Sequence, residues 1–128
     1  MNWENYLENL RGSLVSLSLS QKSDLVVVLP FRTFESISQG CLVLQQELHD
    51  QKSLSFFFNE YEHYLTFRSM SELEDSIRWI SENFEEAKKI GDRAREFQNL
   101  NYSADRLWKY LILKIREVEV STFKSTDL

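Results

Sequence analysis

The stretch from Pro30 to Gln46, Pro-Phe-Arg-Thr-Phe-Glu-Ser-Ile-Ser-Gln-Gly-Cys-Leu-Val-Leu-Gln-Gln, restricts the fold more than any other part of the chain. Phe34 and Ile37 recur at helical spacing between Arg32 and Gln39, Gly40 is a natural stop, and Cys41 to Leu44 is an unbroken apolar run. A helix that ends on glycine and passes at once into a buried strand is an αβ unit. Pro30 marks the start of the helix, and Arg32 and Glu35 fall in its first turn. Helix-start amides favour an anion, an arginine adds charge, and a carboxylate accepts hydrogen bonds from sugar hydroxyls. The plain alternative is an exposed ion pair at i, i+3. The residues alone favour the ion pair.

The rest of the chain alternates around this unit. Trp3, Tyr6, Leu7 and Leu10 share one helical face before Gly12, and Ser13 to Ser20 has the period of two of a strand whose serine face lets a helix or a ligand approach closely. Gln21 to Asp24 is polar and turn-like. Leu25 to Leu29 reads as a second extended segment, or Asp24 to Pro30 as a loop over the site. Ser53 to Tyr61 is expected as a short helix or turn whose phenylalanines close the core, and His63 to Phe67 as a strand. Ser71-Glu72-Leu73-Glu74 has capping-box form and opens a helix to Asn83. Asn83 opens another, with Ala87, Ile90, Ala94 and Phe97 on one face and Gly91 marking a close contact. Ser103 caps a last helix with an apolar stripe of Leu107, Trp108, Leu111, Ile112 and Ile115, and Ser121 to Leu128 reads as a frayed tail. This order predicts one α/β domain over 1–128: a small parallel sheet of three or four strands, flanking helices and a helical C-terminal third.

With 128 residues the chain can bury a core without a metal or disulfide. Its net charge of −5 repels polyanions, so no nucleic-acid partner is expected. No apolar run reaches the length of a membrane span and no basic leader precedes the first helix, which gives a cytoplasmic chain as the expectation. Cys41 is alone and reads as a packing residue. His49 and His63 lack metal-ligand spacing, and His63 is expected at an edge, satisfied by solvent. Ser36 and Ser38 lack the context of a nucleophilic hydrolase, and no glycine-rich phosphate loop is present.

The sequence Pro-Phe-Arg-Thr-Phe-Glu, with Gly40 five residues after the glutamate and a small-apolar strand behind it, resembles the donor-nucleotide segment of retaining glycosyltransferases of the GT-B fold. The order that follows, an aromatic segment, Glu62-His63-Tyr64, a capped helix and Ala87-Lys88-Lys89-Ile90, is similar to the C-terminal part of the same enzymes. The resemblance covers residues 5 to 115 and is nearest to the group 1-like family with an Arg-x-x-Glu helix. It implies part of a Rossmann-like domain. It also implies a nucleotide-sugar donor as substrate and no cofactor beyond it. Glu35 would bind the donor ribose, and Arg32 with the amides of Thr33 and Phe34 would face the diphosphate. No catalytic residue is implied.

Two departures from the family pattern bear on activity. A second glutamate often stands eight positions before the ribose-binding one, and here that position is Val27. The acceptor-binding lobe and the first strands of the donor domain have no counterpart in this sequence. The isolated chain is therefore expected to be inactive and to need a second chain that supplies the acceptor lobe. The competing expectation is a non-catalytic interaction domain that binds a protein partner or a second copy through a sheet edge near residues 13–20 and the last helix.

Overall fold

The computed structural model describes residues 2–19, 21–23, 26–27, 31–47 and 54–126. They fall in two compact units, 1–96 and 97–128.

The first unit contains α1 (Trp3–Arg11), β1 (Val15–Ser18), β2 (Gln21–Ser23), β3 (Val26–Val27), α2 (Phe31–Ser38), β4 (Leu42–Gln46), a 3-10 turn (Leu54–Phe56), β5 (Leu65–Phe67), α3 (Met70–Glu82) and most of α4 (Phe84–Asn101). β1, β4 and β5 lie side by side in that order and all run parallel, with Val15 opposite Leu42, Leu17 opposite Leu44, and Leu44 opposite Leu65. This is an α/β arrangement with a three-stranded parallel sheet, a partial Rossmann-like domain. Parallel neighbours need a crossover between them, and α2 is the crossover from β1 to β4. Its first turn therefore lies by the carboxyl end of β1, and its last turn delivers Gly40, at φ +84°, to the start of β4. Only glycine takes that conformation without strain.

The two faces of the sheet pack differently. Residues directly opposed across a strand pair share a face, so Val15, Leu42, Leu44 and Leu65 look the same way. They meet Phe67, Leu73, Ile80, Ala87 and Ile90, from β5, α3 and α4, in one apolar cluster. The other face of β1 carries Ser16 and Ser18, whose small side chains let α2 approach closely. Ser16 Oγ lies 2.8 Å from Ser36 Oγ, and Ser18 Oγ lies 2.7 Å from Thr33 Oγ1. A helix packs on the serine face. Gly91 of α4 does mark a close contact. A Cβ built there would run into the carbonyl oxygen of Gly40 and lie 3.0 Å from the Leu42 nitrogen.

Several elements differ in detail from their expected form. Gln21–Ser23 is a strand, not a turn, paired antiparallel to β3 with Gln21 opposite Val27; a main-chain ladder needs no apolar side chains. Of the run Leu25 to Leu29, Val26 and Val27 are extended, and Leu25, Val28 and Leu29 lie outside the described residues, as does Pro30. β1 is shorter than Ser13 to Ser20, and β4 starts one residue later than Cys41 and continues to Gln46, where it pairs with Phe67. Of Phe56, Phe57 and Phe58 only Phe58 is buried; Phe56 is 86% exposed. The cap of α3 is Ser69, not Ser71: its Oγ accepts from the Glu72 amide at 3.2 Å, and the Glu72 carboxylate accepts from the Arg68 amide at 2.8 Å. Ser69 also satisfies the capping spacing, and Phe67 ends the strand just before it.

The second unit holds the end of α4 and α5 (Ala104–Thr126), which runs on through Ser121. Ser103 Oγ accepts from the Arg106 amide at 3.3 Å, as a cap does, and Arg106 Nη1 donates to the Leu100 carbonyl at 2.6 Å. Leu107, Trp108, Leu111, Ile112 and Ile115 are all exposed. No helix among the described residues is long and apolar enough to cross a membrane.

Candidate functional site

Consecutive residues on a helix turn about 100° from one to the next, so the four residues expected at the site cannot share a direction. Thr33 is buried against β1 through its bond to Ser18, together with Ser36 and Ile37. Phe34 turns sideways into the aromatic segment, with its ring centroid 5.3 Å from that of Phe57 and 6.1 Å from that of Phe58. Arg32 and Glu35, three apart, share the remaining face. α2 therefore uses one face to hold itself on the sheet, one to pack aromatic rings, and one to present a cation and a carboxylate.

Arg32 and Thr33 line a cleft of about 310 Å³ with Ser16, Leu17, Ser18 and Leu19. The cleft opens where β1 ends and α2 begins, the place where open α/β sheets bind ligands. Glu35 lies one turn further along α2, half-buried. One of its carboxylate oxygens, Oε2, accepts a hydrogen bond of 2.8 Å from the hydroxyl of Tyr6 on α1. Burial, and then the Glu35 carboxylate, push the Tyr6 phenol above its ordinary range, and Arg32 pulls it the other way. Tyr6, Arg32 and Glu35 thus form one electrostatic neighbourhood. The sequence placed Tyr6 only in the apolar stripe of α1. The signal that marks it is chemical, since a half-buried tyrosine needs a partner for its hydroxyl.

His63 and Cys41 have structural partners. His63 is buried, not solvated at an edge: its Nδ1 accepts from the Asn59 amide at 3.0 Å, and burial holds its pKa below the ordinary value. An Nδ1 that accepts is unprotonated, so this contact requires the neutral ring. Cys41 is fully buried, its thiol donates to the Leu10 carbonyl at 2.9 Å, and burial pushes its pKa up. Such a thiol is inert as a nucleophile. Among the described residues no group of histidine, cysteine and carboxylates is placed to hold a metal.

A family model described as glycosyl transferase-like matches residues 2–112, which includes both helices of the Tyr6, Arg32 and Glu35 neighbourhood. The chain belongs to the glycosyl transferase-like family. Of known proteins, protein O-glucosyltransferase 2 of Danio rerio is 34% identical over 86 residues, 62% of this chain. The glycosyl transferase-like chain spans 17% of that protein's length. The family match reaches into both compact units, over all of β1 to α4 and the first part of α5.

Proposed function

We propose that this glycosyl transferase-like domain binds the nucleotide diphosphate of a sugar donor at the start of α2. In this reading Glu35 accepts hydrogen bonds from the ribose hydroxyls, and Arg32, beside the first-turn amide of Thr33, faces the diphosphate. The observation that carries it is the joint placement of Arg32 and Glu35 on one face of a crossover helix whose first turn borders a cleft at the carboxyl end of a parallel strand. Transfer needs donor and acceptor enclosed together, so the domain would act with another lobe and be inactive alone.

The test is a thermal-shift series of the purified chain with UDP, GDP, ADP and CMP, repeated on Glu35→Ala. A ligand present at about 100 times its dissociation constant adds about 2.7 kcal/mol. The expected result is a shift with at least one diphosphate that disappears in Glu35→Ala. No shift with any nucleotide would overturn the reading.

One observation favours a second reading, an interaction module: the apolar side chains of α5 from Leu107 to Ile115 are exposed. On that reading the chain self-associates, and its size in solution is the same with Glu35→Ala as without it. Sedimentation of both variants separates the two.

A further inference from the structure

We infer that Tyr6 is the positioning residue of the donor site, orienting the Glu35 carboxylate so that it presents one oxygen to a ribose hydroxyl. The inference rests on the nucleotide-binding reading of Glu35 and goes beyond it by bringing a second helix into the site. A glutamate on a helix has three rotatable side-chain bonds, and a ligand that uses it must first select one arrangement. The 2.8 Å bond from Tyr6 makes that selection before any ligand arrives. It reaches Glu35 from 29 positions earlier in the chain, so it ties α1 to α2 at the functional face. An ionised carboxylate offers about four acceptor positions on its two oxygens. Tyr6 engages Oε2, and Oε1 is left to take a hydroxyl of the sugar.

Tyr6 itself is held. Its ring lies 5.4 Å from the ring of Trp3, centroid to centroid, and is half-buried. Arg32, on the same face of α2 as Glu35, places its charge on the other side of the balance, and with Tyr6 and Glu35 makes a cation, a neutral donor and a carboxylate in one neighbourhood. Such a set suits a ligand with both an anionic group and vicinal hydroxyls, as a ribonucleoside diphosphate has. A carboxylate fixed on a hydroxyl discriminates ribose from deoxyribose because the deoxy compound leaves the acceptor unpaired.

The experiment measures dissociation constants of the 128-residue chain for UDP, GDP and ADP and for their 2′-deoxy and 2′,3′-dideoxy counterparts. It uses the wild type, Tyr6→Phe and Glu35→Ala. Tyr6→Phe removes only the hydroxyl. We expect it to weaken the ribonucleotide about fivefold while leaving the dideoxynucleotide unchanged, so that the preference for ribose narrows. Glu35→Ala should remove the preference. A ribose preference in Tyr6→Phe equal to that of the wild type overturns the inference, even where Glu35→Ala abolishes it and the donor site stands. An equal loss for ribo- and dideoxynucleotides also overturns it, because that is the mark of a purely structural bond. No binding of any diphosphate to the wild type overturns this inference and the donor-site reading together. Should Tyr6→Phe unfold, Glu35→Gln supplies the second probe: its one amide oxygen accepts from Tyr6, which turns the amide NH2, a donor, to the sugar hydroxyl. It is expected to retain part of the ribose preference that Glu35→Ala loses, and a preference no greater than that of Glu35→Ala overturns the inference.

Discussion

On one face of the three-stranded sheet, Leu42, Leu44 and Leu65 meet Leu73, Ile80, Ala87 and Ile90 through apolar contact; on the other, Ser16 and Ser18 meet Ser36 and Thr33 through paired hydroxyls. Apolar burial is strong and indifferent to direction, whereas a hydrogen bond adds little net stability and fixes geometry closely. The apolar face therefore keeps the domain folded. The hydroxyl face sets where along β1 the crossover helix rests, and so where Arg32 and Glu35 point. A leucine at Ser16 or Ser18 would add burial and push α2 away from the strand.

The comparison breaks most readily at the apolar face. Leu44→Ala, at 1% exposure in the central strand, should cost about 2–5 kcal/mol in a chemical denaturation series. Gly91→Ala comes next, with about 1–3 kcal/mol expected, since its new Cβ meets main-chain atoms of the Gly40 to Leu42 turn that no rotamer change can relieve. On the hydroxyl face, Ser18→Ala alone strands the Thr33 hydroxyl and should cost about 1–3 kcal/mol, whereas Ser18→Ala with Thr33→Val should recover most of that loss. If the double variant is as unstable as Leu44→Ala, the division of labour is wrong. If it is stable but binds nucleotide more weakly, the division is sharpened. The smallest effect is that of His63. Its folded pKa lies below the unfolded value of about 6.5, so between the two the unfolded chain binds more protons. Its contribution is whole above about pH 6.5 and is lost as pH falls through the folded value. A stability profile from pH 7 downward should therefore decline less in His63→Asn than in the wild type.

The parts that were legible in the sequence are those where one residue type has one physical use. Gly40 ends α2 in a conformation other residues avoid, Gly91 admits a backbone, and Leu42 to Leu44 is apolar on both sides because helices cover both faces of a parallel strand. The parts misread are those where several solutions satisfy the same pattern. Ser69 and Ser71 both stand three residues before a glutamate, and only the end of β5 decides between them. Gln21 to Ser23 pairs through its main chain, and main-chain pairing leaves no mark on side-chain choice. Three adjacent phenylalanines gave no sign that Phe58 alone would be buried. At the proposed site, Arg32 and Glu35 were named from the resemblance of the Pro30 to Gly40 segment to a donor-nucleotide segment, whereas Tyr6 is joined to Glu35 by a contact across 29 positions that no local pattern carries.

The contact between Gly91 and the Gly40 carbonyl gives the crossover helix a mechanical stop. Side chains at an interface can swing aside and let a helix slide along its axis. Two backbones pressed together have no such hinge. The turn that follows α2 is therefore braced against α4 through main chain, with no side chain between them to yield.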